Sequence, residues 1–118
     1  MGLDIGFYRN KKEIFYLRNH NEFLSLFDEE IGGRVRDEYD DFYITLDTIN
    51  VAAYRLAWLF IYCKVAASKA LNEIPDSLYE LDAREEDLAH LICYYPAIVE
   101  LLRSEVMKHG PLICGWSA

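Results

Sequence analysis

LDTINVAAYRLAWLFIYCKVAASKAL, residues 46–71, is the longest and most apolar stretch of the chain, and its reading decides what everything else packs on. Leu46, Ile49, Ala53, Leu56, Phe60, Cys63, Ala67 and Ala70 recur at alternating spacings of three and four. That is helical periodicity, held for about seven turns, and not the period two of a strand. The opposite side carries Val51, Trp58, Val65 and Asn72, where a one-sided surface helix is polar. Three of these four are apolar, so a second apolar stripe runs between two partly polar ones that hold Arg55, Tyr62 and Lys69, and Asn50 and Lys64. The uninterrupted apolar run, residues 56–63, is far short of the roughly 20 residues of a membrane span. The first expectation is that the chain's own hairpin or another helix covers the Val51/Trp58/Val65 stripe. The alternative is a homodimer or partner surface.

Working outward, residues 3–8 and 13–17 are short runs rich in β-branched and aromatic residues, joined by the polar turn Arg9-Asn10-Lys11-Lys12. They predict a β-hairpin with a solvated basic tip. Asn19-His20-Asn21-Glu22 has capping-box spacing, Phe23, Leu24, Phe27 and Ile31 follow at helical spacing, and Gly32-Gly33 ends that helix. Phe42-Tyr43-Ile44 leaves room for a third short strand before Thr45 caps the central helix. Ile74-Pro75-Asp76-Ser77 is a breaker, and Asp82 with Glu85 forms another capping box. Leu88, Leu91, Ile92 and Tyr95 mark one buried face; Ile98, Leu101, Leu102 and Met107 mark a shifted one, so Pro96 is read as separating two helices. His109-Gly110-Pro111 stops the second, and the apolar tail through Trp116 is expected on the core or at the sheet edge. The fold class is α+β: an N-terminal β-hairpin packed on a long central helix, with two to three further helices, as a single domain over residues 1–118.

The chain of 118 residues is long enough for a real core, and its 53% hydrophobic content excludes general disorder. Its net charge of −8 opposes binding to nucleic acid and anionic lipid and favours basic partners. No basic segment followed by an apolar one opens the chain, and Cys63, Cys93 and Cys114 are odd in number and widely spaced. Both features predict a cytoplasmic protein with reduced, buried thiols.

Catalytic and metal chemistry find few candidates. His90 and Cys93 stand three apart, with His109 and Cys114 following, which matches a four-ligand zinc set in composition but lacks paired CxxC or HxxxH spacing. Nothing forms a nucleophile elbow or a phosphate-cradling glycine loop. No cofactor is expected, and a small metalloprotein or enzyme using His90 and Cys93 is the lesser alternative. The more distinctive feature is the run Asp37, Glu38, Tyr39, Asp40, Asp41, followed by Phe42 and Tyr43. Its carboxylates match a groove built for phosphates, and its tyrosines supply rigid contact area. Glu85, Glu86 and Asp87 form a second acidic patch. The bland reading of both is solvated charge.

The opening Met1-Gly2-Leu3-Asp4-Ile5, followed by an aromatic strand, resembles the start of many small phage and prophage proteins. That resemblance implies an accessory product, such as the anti-defence proteins that include anti-CRISPR inhibitors. Tyr94-Tyr95-Pro96 is similar to the Tyr-Tyr-Pro element of colicin nuclease immunity proteins, although the surrounding sequence differs. The expected function is therefore a binding protein that inhibits a host defence or nucleic-acid-handling complex by occupying a basic surface. The alternative is an immunity protein that neutralises a nuclease toxin.

Overall fold

Two residues with positive φ set the first element. Asn10 (φ 52°) and Lys11 (φ 66°) form the two-residue turn whose twist suits a hairpin. It joins β1 (Asp4–Arg9) to β2 (Lys12–Arg18). A computed structural model of the chain describes residues 4–18, 23, 26–27, 42–74 and 88–117. The remaining elements are β3 (Phe42–Ile44), α1 (Leu46–Tyr62), a 3₁₀ turn (Ala67–Lys69), α2 (Leu88–Leu91), α3 (Tyr95–His109) and β4 (Leu112–Ser117).

The strands form one antiparallel sheet in the order β2-β1-β4-β3. The third strand expected after residue 41 is present. The apolar tail is a strand as well, but it lies inside the sheet between β1 and β3, not at its edge. Period-two alternation makes it a strand, with Leu112 and Cys114 fully buried while Ile113 is exposed, and its pairing with β1 on one side and β3 on the other puts it inside. The inner face consists of Ile5, Phe7, Phe15, Leu17, Ile44, Leu112 and Cys114, none more than 4% exposed. Phe7 is opposite Phe15 in β2, and Tyr8 is opposite Glu13, so Ile14 is the extra residue of a bulge. On the outer face Gly6 faces Gly115. A side chain at Gly6 would run into the ring and hydroxyl of Tyr8, so this glycine makes room for a tyrosine lying along the sheet.

The helices cover the inner face. Ile49, Ala52, Leu56 and Phe60 of α1 are buried, and so are Tyr95, Ile98, Val99, Leu102 and Val106 of α3. They join the sheet in one continuous core. Phe23, helical and fully buried, makes edge-on contacts with Phe7, Phe27 and Tyr95 at centroid distances of 6.1, 5.5 and 5.1 Å. Such pairs add to the burial of their area. Leu26 and Phe27 are helical and buried too. The cap at residues 19–22, Leu24, Ile31, Gly32-Gly33, the Pro75-Asp76-Ser77 part of the breaker and the cap at residues 82–85 lie outside the described residues.

Thr45 caps α1 as expected. Its hydroxyl accepts from the Thr48 amide (3.3 Å), and the Thr48 hydroxyl accepts from the Thr45 amide (2.8 Å). The helix is shorter than its apolar pattern, ending at Tyr62. Lys64 turns left-handed (φ 57°), its amide donates to the Ile61 carbonyl (3.1 Å), and the Val65 amide donates to the Phe60 carbonyl (2.9 Å). This is the Schellman closure, with lysine where glycine is usual. Ala67 and Ala70, expected on the helical seam, therefore belong to the 3₁₀ turn and its end.

Two helices do meet near Pro96, with α3 beginning one residue earlier, at Tyr95. Met107, expected on the buried face of α3, is 69% exposed; Val99 and Val106 take up that face. Gly110 ends α3 at φ 92°, a conformation that favours glycine. The basic hairpin tip is only partly solvated. Lys11 and Lys12 are exposed, but the Arg9 guanidinium donates to the Glu105 carboxylate (2.9 Å) and to the Glu105 and Gly110 carbonyls (3.0 and 2.7 Å). A cation is thus held at the C-terminal end of α3, where the helix dipole favours it.

Replacing Lys64 with glycine removes the left-handed strain and is expected to stabilise the fold by about 1 kcal/mol. Urea denaturation checks this, and an unchanged midpoint would show that the closure carries no strain. Arg9→Ala is expected to cost about 2 kcal/mol in the same assay. Arg9→Lys should recover less than half of that, because lysine cannot reproduce the fork.

Candidate functional site

The outward side of α1 is where the described surface departs most from an ordinary polar one. A helix in a two-layer domain hides one stripe, and α1 spends it on Ile49, Ala52, Leu56 and Phe60. On the other side Tyr54 is 65% exposed, Trp58 55%, Ile61 65% and Tyr62 80%. Spacings of four and three put Tyr54, Trp58 and Ile61 on one ridge. The rings of Tyr54 and Trp58 meet edge-on at 6.4 Å. Of the stripe expected from sequence, Trp58 lies on this ridge, while Val51 and Val65 are half-buried. The exposed ridge is therefore rotated from that stripe, and the hairpin does not cover Trp58.

Beside the ridge lies an apolar groove of about 520 Å³. Its α1 wall includes Ala53, Ala57 and Ile61, its α3 wall Pro96 and Val99, and the 3₁₀ segment closes it with Ala67 and Ala70. Small side chains at 53 and 57 make the depression next to the large ones at 54 and 58. Glu100 at its edge pairs with Arg103, which also donates to the Asn50 side chain of α1 (3.4 Å). The helical pattern does not announce this groove, because Ala53, Ala67 and Ala70 fit an ordinary buried seam and Ala57 lies off it. The alternation of alanine with Tyr54, Trp58 and Ile61 is the signal that was there to find.

A second cleft, of about 450 Å³, brings Lys69, His90, Cys93 and Tyr94 to one wall. The His90 Nε2 and Tyr94 hydroxyl are 3.1 Å apart, and the Cys93 thiol donates to the Ala89 carbonyl (3.5 Å). His109 is exposed at the end of α3, whereas Cys114 is sealed in the inner sheet face. Among the described residues no three His, Cys, Asp or Glu side chains gather as a metal site would require. None of the three cysteines is in a disulfide, and only Cys114 is buried; Cys63 and Cys93 are half-buried, at the end of α1 and in the turn before α3. No helix among the described residues is long and apolar enough to cross a membrane.

The acidic candidates Asp37, Glu38, Tyr39, Asp40 and Asp41, and Glu85, Glu86 and Asp87, lie outside the described residues. Their neighbour Tyr43 does not. It is 67% exposed on β3, on the outer sheet face, and shares a cross-strand row with Ile113 and Tyr8. Charge is unevenly divided along the chain. Residues 19–41 and 75–87 hold fourteen of the twenty acidic residues and three of the twelve basic ones. The rest, which includes every strand and the helices α1 to α3, carries more basic than acidic residues.

Comparison with protein-family models gives no match, and comparison with curated proteins and with solved structures gives none either.

Thiol burial provides a check on this arrangement. A maleimide is expected to label Cys63 and Cys93 in the native protein at least about tenfold faster than Cys114, which becomes reachable only when the sheet opens. Mass spectrometry of time points reads this out, and equal rates at all three would show that β4 does not stay paired.

Proposed function

We propose that the chain is a protein-binding domain that acts by occupying the basic surface of a partner, with no chemistry of its own. The division of charge carries the reading. A framework with a slight basic excess bears two short segments that hold most of the carboxylates. Charge concentrated in this way steers a basic partner to particular segments and not to the molecule as a whole. Tyr43 supports the same reading, because this exposed tyrosine comes two residues after the run at residues 37–41 and stands beside Ile113. Tyrosine beside carboxylates suits a protein interface, where rigid aromatic area supplies affinity and charge supplies orientation. A surface that accepts clustered carboxylates is one shaped for phosphates, so the partner class is a nucleic-acid-handling protein or complex. Inhibition follows if the same surface cannot hold both.

Affinity capture with the wild-type chain would identify the partner, and titration would then test the surface. Joint reversal by Asp37→Lys, Glu38→Lys, Asp40→Lys and Asp41→Lys is expected to weaken binding by at least about 100-fold and to flatten its salt dependence. Tyr43→Ala should cost about tenfold. Unchanged affinity after the charge reversal would refute the reading.

A further inference from the structure

We propose that α1 is the seam of a symmetric homodimer, in which the Trp58–Ile61 ridge of each copy enters the α1–α3 groove of the other. Shape is the first argument. Ridge and groove lie on adjacent sides of one helix, with Ala53 and Ala57 forming a wall beside Tyr54 and Trp58. A two-fold interface needs this kind of self-complementarity, because residue i must meet j while j meets i. The groove, at about 520 Å³, is open to solvent and almost wholly apolar, with Glu100 the one charged wall residue among those described. An indole or an isoleucine side chain satisfies it without leaving a polar atom stranded.

Area is the second argument. At their stated exposures, Tyr54, Trp58, Ile61 and Tyr62 leave about 500 Å² of side chain in water. The groove walls other than Ile61 add a smaller area, which brings the face to the lower end of the roughly 600–1,000 Å² that one partner gives to a standard interface. Charge is the third. A chain of net charge −8 repels its copy, yet the 17 residues of α1 include only Asp47 and Arg55 as charged groups. Arg55 is half-buried and donates to the Leu26 carbonyl (3.4 Å), and Glu100 is already paired with Arg103. The seam therefore brings no like charges together, and the acidic segments are not needed for it.

This inference does not rest on the proposed binding function, because it uses the helical layer and not the Tyr43 face. Light scattering coupled to size exclusion, from micromolar to submillimolar protein, is expected to give twice the single-chain 13.8 kDa. Trp58→Glu and, separately, Ile61→Arg should each raise the dimer dissociation constant by about 100-fold or more, with far-ultraviolet circular dichroism unchanged. Tyr43→Glu and the charge reversal at residues 37–41 should leave the mass at the dimer value. A wild-type mass of 13.8 kDa throughout the range overturns the proposal without recourse to any variant. A dimer that survives both Trp58→Glu and Ile61→Arg places the seam elsewhere and overturns it equally.

Discussion

A single antiparallel sheet has one inner face, and among the described residues seven side chains lie on it. The helices α1 and α3 share that face with the buried helical residues Phe23, Leu26 and Phe27. Each helix can spend only one stripe on it, which for α1 is Ile49, Ala52, Leu56 and Phe60. Residues 46–62 are apolar around more of the helix than this, so the surplus stands in water as Tyr54, Trp58, Ile61 and Tyr62. The same limit explains the groove. Between α1 and α3, Ala53 and Ala57 leave space that larger side chains would occupy, and no third layer is present among the described residues to fill it. Surplus apolar surface of this kind is expensive to leave wet, which is why it argues for an interface more strongly than scattered exposed leucines do.

What could be read from sequence was local. The hairpin turn, the Thr45 cap, the break near Pro96 and the stop at Gly110 each act through the backbone of the residue concerned, so a single chain suffices to see them. The order of strands is not local. Period-two alternation in residues 112–117 marks a strand, but nothing in it says that the strand lies between β1 and β3. The end of α1 was hidden for another reason. Apolar residues continue in helical phase beyond Tyr62, and the left-handed turn falls on Lys64, where no glycine announces it. Arg9 was misread because a basic residue beside a turn is usually solvated; its fork onto Glu105 and Gly110 depends on where α3 ends in space.

The candidate surfaces divide similarly. Trp58 was legible as an apolar residue on the wrong side of its helix. Its true neighbours on the ridge, Tyr54 and Ile61, emerge only once the packed stripe fixes the rotation of α1. The acidic run was legible as composition but lies outside the described residues; Tyr43, two residues after it, pairs with Ile113 on the sheet. The His90–Tyr94 contact and the burial of Cys114 likewise separate residues that composition had grouped as one ligand set.

The central position of β4 also bears on how the protein is made. Ile5 pairs with Trp116, so β1 leaves the ribosome roughly a hundred residues before the strand that completes it. At about 5–20 residues per second, the hairpin waits on the order of 5–20 s with the β1 edge that later meets β4 unpaired and Ile5 and Phe7 uncovered on that side. Contacts between distant parts of a chain slow folding, and an open strand edge invites pairing with another nascent chain. The faster residues 19–111 are synthesised, the shorter the time that this edge stands open.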